Sequence, residues 1–550
     1  MDARDDQRAR SWWRVNRGAL RRRLGAVLLG CCAVLPFHPS VARSQVWGVQ
    51  ALLVAQDPPA EAATFGASVA VGDFDGDGHP DLAVGAPDWS GYMGSVTFFH
   101  GGGASRTLPL WDEVHGASGG EYLGWAMAAG DFDHDGKDEL AVGAPGASVL
   151  YQGATVNKAG VVYVYQYQSG CGCFQVIRTL SQVDTASFFP PVYGTEFGSV
   201  LAAGRWNDDL FRDLAVGVPS QNVDGHGEAG AVQIFYGSDS GLGTADAQGF
   251  RVGADGVTGT AADQDEMGWS LAGGDFDGDG HDDLAVGTPG RYGAGWYGAG
   301  AVYILRGSSS GITTNGLQVL TPAVYGAPSE GGGFGWALAA GYFRDAPATC
   351  GGGTCYADLA IGSPFRKLNN QNTSAGAVVV AYGGASGIQI SGATTLMRDV
   401  DGGTIKGGEE FGRTLAAGFV DPDPVSGLLD HSPMDLVVGA PWAGMNGATR
   451  AGYFDLVRGA AAGIGTAGLA QSVSAKPGFP IAAPEAYDQL GNALAVADFD
   501  GDGWGDVVAA ATSEDVNGVN GSGAVEVLFG AMFADGFESG DTGSWSLASL

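Results

Sequence analysis

A chain of 550 residues is long enough for several domains, so size alone fixes no domain count until internal repetition has been sought. Its 60 Asp and Glu against 27 Lys and Arg give a net charge of -33, and nine of the basic residues fall within the first 43 positions, so the remainder is more acidic still and nucleic acid is excluded as a partner. The 96 glycines, without a collagen-like period, favour many tight turns over long helices.

Residues 1–42 read as a signal peptide. A basic region ends at Arg23, an apolar stretch runs from Leu24 to Phe37, and Ser40 and Ala42 offer small residues for cleavage. The stretch is too short to span a bilayer permanently, and no later run approaches the roughly 20 apolar residues a spanning helix needs, so no integral membrane segment is expected in the mature chain. Two alternatives stay open, lipidation at Cys31 within "LLGC" and a buried N-terminal segment. The strand-like "WGVQALLVAQ" at 47–56 follows and belongs to no unit of its own.

From here the chain repeats itself. Opening glycines stand at Gly66, Gly124, Gly198, Gly268, Gly335, Gly412 and Gly491, spaced by 58 to 79 residues, with Phe65, Phe197, Phe334 and Phe411 before four of them. Each unit holds an opening strand, a second run of the "DLAVGAP" kind (decayed to "DVVAAAT" in the seventh), a third such as "GSVTFFHG" and a weaker fourth such as "LPLWDEVHG" at 108–116. These runs are rich in apolar and β-branched residues and too short for globular helices. Seven units of four strands predict an all-β fold, a seven-bladed β-propeller over 45–530, whose central strands are apolar on both sides because neighbouring blades cover them. The seventh unit lacks a good fourth strand, so the need to cover an exposed edge predicts that 47–56 completes it.

Unit one joins its first two strands by "DFDGDGHPD". Asp73, Asp75 and Asp77 alternate in a glycine-containing turn and Asp81 follows, so several hard carboxylate oxygens converge; a backbone carbonyl at His79 or water completes the set that a calcium ion wants. Unit two repeats this with Asp131, Asp133, Asp135, Lys137 and Glu139, unit four with Asp275, Asp277, Asp279, His281 and Asp283, and unit seven with Asp498, Asp500, Asp502, Trp504 and Asp506. Unit three departs from it: Arg205 replaces the first acid while Asn207, Asp209 and Asp213 remain, so its guanidinium is expected to neutralise the cluster in place of a metal. Units five and six carry expanded loops without a full ligand set, Asp421 and Asp423 keeping part of the alternation in the latter. Four calcium sites are expected.

The combination of "FG", "GDFDGDG" and "DLAVGAP" over about 46–530 resembles the FG-GAP repeats of the integrin α-subunit N-terminal propeller, of the kind also carried by secreted bacterial proteins. The resemblance implies that the four acidic loops match the family's calcium sites on one face, and that variable loops on the opposite face bind partners.

Cys350 and Cys355 flank "GGGT" and suit a local disulfide, whereas Cys171 and Cys173 in "CGC" suit a short bridge, free thiols or exchange with the other pair. Trp125, Trp269 and Trp336, beside opening glycines, read as packing between blades; Trp89, Tyr92, Tyr292, Trp296 and Trp442, after the "GAP" runs, read as a sugar- or protein-contacting surface or as turn packing. No catalytic residue is assigned: Ser309 in "GSSSG" has the nucleophile-elbow spacing but no following helix signal. The tail 531–550 adds no blade and reads as a surface or secretion tag or as a disordered end. The expected function is a secreted or bacterial cell-surface calcium-binding propeller that binds an extracellular protein or carbohydrate in adhesion. A purely structural module, or a polysaccharide-active hydrolase or lyase, are the alternatives.

Overall fold

A run such as Asp81–Ala86 is buried along its whole length, and a strand of that kind needs cover on both faces. The computed structural model supplies it by packing blade on blade. It describes residues 51–54, 63–102, 107–185, 188–293, 295–325, 331–344, 355–367, 374–397, 408–420, 433–444, 448–460, 463–464, 469–474, 486–516 and 518–530; the segment expected as a signal peptide, Cys350, Asp421, Asp423 and residues 531–550 lie outside these.

The chain is an all-β, seven-bladed β-propeller with four-stranded antiparallel blades. The second strands, Asp81–Ala86, Glu139–Ala144, Asp213–Val218, Asp283–Thr288, Asp358–Ser363, Asp435–Gly439 and Asp506–Ala511, are buried throughout. The first strand of every blade lies against those of both neighbours, including blade seven against blade one, so the ring is closed. Accordingly the apolar core is divided into interfaces: Phe74, Phe98, Leu140 and Val142 pack between blades one and two, and Leu53, Phe65, Val84 and Val527 between seven and one. In blade seven the outermost strand comes from the N-terminal side, Ala51–Leu53 pairing antiparallel with Ala524–Leu528, Leu52 opposite Glu526.

Two glycines per unit make the blades fit. The opening glycine is left-handed (φ 86° at Gly124, 90° at Gly198), and its carbonyl lies against the glycine of the preceding blade's second strand. A Cβ on Gly143 would stand 2.0 Å from the Gly198 oxygen, and one on Gly85 2.3 Å from that of Gly124. The "FG" and "GAP" signatures are thus the two sides of one close backbone contact. In blade seven Ala510 takes the second-strand position, facing Gly66.

At the end of the ring that carries the loops between first and second strands, neighbouring loops are tied by backbone hydrogen bonds. Asp138 N–H donates to Asp73 O at 2.8 Å, Asp282 to Arg205 O at 2.8 Å, Ala357 to Asp275 O at 2.8 Å and Gly505 to Phe419 O at 2.7 Å. The equivalent donor in blade one is Pro80, which has no N–H, so the seam between blades seven and one lacks this bond. That seam keeps a second tie, Gly102 N–H to Phe499 O at 2.9 Å.

Candidate metal centres

Strand register sets the frame of each acidic loop. Gly72 pairs with Asp81, Gly130 with Glu139, Gly274 with Asp283 and Ala497 with Asp506, so the first loop acid and the strand acid face each other across the mouth of a hairpin. The loop then folds on its own carboxylates. Asp73 Oδ1 accepts from Gly76 and Asp77 N–H at 2.8 and 3.0 Å and its Oδ2 from Gly78 at 2.9 Å; Asp75 and Asp77 each accept from the amide two residues on, the latter from His79 at 2.9 Å. Equivalent bonds run from Lys137 to Asp135 (3.0 Å), His281 to Asp279 (2.9 Å) and Trp504 to Asp502 (2.9 Å). Positive φ at Gly76, Gly78 and Gly136 permits the turn.

This brings oxygens together in three blades in the same way. One ligand atom from each of Asp73, Asp75 and Asp81, of Asp131, Asp133 and Glu139, and of Asp498, Asp500 and Asp506 lies within 4.8 Å of the others. Oxygens bound to one calcium ion at 2.3–2.6 Å stand at most about 5 Å apart, so the three groups fit that ion. Asp135 and Asp502 lie outside the groups of their blades, while Asp77 joins Asp75 and His100. In blade four the group is Asp275, Asp277 and Asp279, without Asp283.

The strand acid has a second job. Asp81 accepts from Phe74 N–H at 3.0 Å and from Gly101 N–H at 2.7 Å, clamping the first loop residues to the end of the third strand. The same clamp is made by Asp213 (Trp206 and Gly237), Asp358 (Arg344 and Gly383) and Asp435 (Val420 and Gly459), in blades whose loops lack the acidic series. Asp283 and Asp506 make both bonds as well, whereas Glu139 of blade two takes the Phe132 N–H and the Gln166 side-chain amide, so recurrence of an acid here reflects the tie to the loop more than the acidic series. Burial pushes the Asp81 carboxyl up to about 6 and that of Asp506 up to about 8, each against the pull of its two amides; Glu139, raised by burial and by Asp133, reaches about 8. A cation opposite them offsets that cost.

Three side chains that the loop pattern did not reveal also reach the acids, all from the end of the third strand. His100 Nε2 lies 3.0 Å from Asp75 Oδ2 while its Nδ1 faces Gly101 O at 2.6 Å. Gln166 Nε2 donates to Asp133, Asp135 and Glu139 at 3.3, 3.2 and 3.0 Å. Arg306 Nη1 stands 2.5 Å from Asp277 Oδ2 and 3.0 Å from Asp283 Oδ2. The available signal was position: His100 and Arg306 immediately precede the glycine that closes the strand. In blade seven that position is Phe529, which is buried and apolar.

Blade three differs from expectation. Arg205 is exposed and makes no ion pair among the described residues; its backbone N–H donates to Asp282 of blade four at 2.9 Å. Within the loop the Asn207 amide donates to Asp209 at 2.6 Å, and Asp208 faces His281 Nε2 of the blade-four loop at 3.0 Å.

At the opposite end of the ring lie the loops after the second strands and the turns that open the first strands, Trp125 standing in one of the latter. Trp125 is 48% exposed, Tyr92 52%, Tyr292 53%, Trp296 50% and Tyr297 79%. Trp125, expected as packing, touches only the edge of Tyr122 among aromatic rings, whereas Trp269 and Trp336 do pack across adjacent blades, ring centroids 4.6 Å apart. Arg413 then lies over both Trp336 and Trp442, and Arg450 over Trp442 at 4.4 Å. Trp89 stacks on His115 at 4.3 Å. Cys171 and Cys173 are bonded to each other in the turn between the third and fourth strands of blade two. Cys355 is also disulfide-bonded, its expected partner Cys350 lying outside the described residues. Ser309 sits in a turn that no helix follows.

The FG-GAP repeat family model matches residues 65–100, 123–165, 267–305 and 490–528, the four units with complete acidic loops. Integrin alpha-5 of Xenopus laevis is 32% identical over 41% of this chain and 20% of its own length, and integrin alpha-IIb of Mus musculus 33% over 46% and 22%. Phosphatidylinositol-glycan-specific phospholipase D of Mus musculus is 34% identical over 30% of this chain and 18% of its own. The chain thus spans about a fifth of the length of these relatives.

Proposed function

Because the chain carries FG-GAP repeats on a seven-bladed propeller similar to that of integrin α subunits, we propose that it is an extracellular calcium-binding module that captures a protein or glycan in adhesion, acting from a secreted or bacterial cell-surface location. The observation that carries the reading is the separation of two faces. Acidic groups gather on one end of the ring, and half-exposed Tyr92, Trp125, Tyr292 and Trp296 stand on loops at the other. Exposed aromatic planes on short rigid loops suit stacking on sugar rings or burial in a protein partner. Calcium, when bound, supplies a fixed counter-charge that holds each hairpin mouth closed; Asp73, Asp75 and Asp81, Asp131, Asp133 and Glu139, and Asp498, Asp500 and Asp506 would hold it. Residues 1–42 serve as the export signal on this reading, and no helix among the described residues is long and apolar enough to cross a membrane.

The test is capture of ligands on a glycan array and from solubilised surface proteins, by the full chain and by Trp125→Ala and Trp296→Ala, with calcium and with chelator. A retained ligand whose affinity falls about tenfold or more in either variant, equal to about 1.4 kcal/mol, is the expected result. Capture of nothing on either platform, or of ligands indifferent to both substitutions, overturns the reading.

A further inference from the structure

The four loops that share one acidic pattern do not share one environment. What faces the carboxylates from the third strand is hydrocarbon in blade seven (Phe529), a neutral amide in blade two (Gln166), an imidazole in blade one (His100) and a guanidinium in blade four (Arg306). Only the last is a charge that stays in every physiological condition.

Arg306 is also held from elsewhere. It is buried, and its Nη2 donates to the Ser386 carbonyl of blade five at 2.8 Å. Gly387 is packed so tightly on it that a Cβ there would stand 2.2 Å from Nη2. Gln318, beside it, exchanges two bonds with Ile388 of the same blade-five turn, at 3.0 and 3.1 Å. Its Nη1 occupies the gap between Asp277 and Asp283, the carboxylates that in blades one, two and seven correspond to acids sharing one ion-sized group. Asp283 keeps its clamp beside the guanidinium, accepting from Phe276 N–H at 3.3 Å and from Gly307 N–H at 3.0 Å. A divalent ion entering this loop would meet a fixed positive charge a few ångströms away and would have to share Asp277 with it.

We propose that the blade-four loop is not a calcium site: the Arg306 guanidinium takes the cation's place between Asp277 and Asp283 and latches blade four to blade five, so that the chain binds three calcium ions, in blades one, two and seven. This rests on the calcium reading above and assigns its sites. It also makes the seam between blades four and five indifferent to chelators.

The test is the number of calcium ions per full chain, counted by native mass spectrometry and by calorimetric titration after chelator stripping. The wild type is expected to take three. Asp277→Asn leaves three, Asp500→Asn leaves two, and Arg306→Met, which keeps the stem's bulk and removes the charge, raises the count to four. Four ions in the wild type, or the loss of one in Asp277→Asn, overturns the assignment even if Arg306→Met fails to fold. A folded Arg306→Met that still takes three also overturns it, since the guanidinium would then not be what excludes the ion. Binding of no calcium by any variant defeats the underlying metal reading and the count of three with it, an outcome distinct from a count of four.

Discussion

Among the described residues, Glu526 is an ionisable group poorly matched to its surroundings. It lies mid-strand in blade seven, 1% exposed, with Leu52 and Ala509 beside it in register and neither carboxylate oxygen hydrogen-bonded. Burial, with a smaller contribution from Glu514, pushes its carboxyl up to about 8. An acid whose folded pKa is raised favours the folded state only while protonated, so the cost is absent below the ordinary glutamate value of about 4.5, grows as pH rises and is complete above about 8. Glu526→Gln should therefore match the wild type in melting temperature near pH 4.5 and exceed it by a margin that widens to pH 8 and then levels. A constant difference across a melting series from pH 4.5 to 9 would show that ionisation is not the cause. At this same scale the loop acids were legible in the sequence, because alternation within nine residues is a local signal. His100 and Arg306 were not, since they stand 25 and 29 positions beyond Asp75 and Asp277 and meet them only through strand pairing.

A blade is specified by a few backbone contacts as much as by its apolar side chains. Gly143 has an ordinary negative φ, so nothing local requires glycine there; the requirement comes from the Gly198 oxygen of the next blade, 2.0 Å from where a Cβ would stand. Backbone cannot swing aside as a side chain can, and Gly143→Ala should cost about 3 kcal/mol. Gly153 offers the contrast: it is left-handed at φ 82° in an exposed ribbon turn with nothing within 4 Å of a Cβ, so Gly153→Ala should cost only the conformational penalty of about 1 kcal/mol. Equal denaturation midpoints for the two variants would remove the inter-blade account of the "GAP" glycine. Ala510 in blade seven shows the same site filled by a methyl, opposite Gly66.

A closed ring is only as strong as its weakest seam, and three features gather where blade seven meets blade one: Pro80 in place of an amide donor, Ala510 in place of glycine, and a three-residue outer strand, Ala51–Leu53, drawn from the other end of the chain. Deleting residues 45–56 unpairs the outer edge of Ala524–Leu528 and opens Glu526 to water. The melting temperature of that deletion should fall by several degrees, with loss of the upward pH trend that Glu526→Gln gives in the intact chain; an unchanged value refutes a closing role for this strand. The sequence by itself determined the architecture, because each unit's apolar runs and turn glycines are local and recur through seven units, and a ring of four-stranded blades covers strands that are apolar on both faces. It also determined which loops have enough carboxylates for a cation. Only the tertiary structure decided what faces those carboxylates. The exposed Arg205, which the sequence places in the loop of blade three, turns out to be no counter-ion, whereas Arg306, distant in sequence, reaches the acids of blade four across two paired strands. Charge balance depends on distance in space, and a repeat pattern carries no distances beyond its own turn.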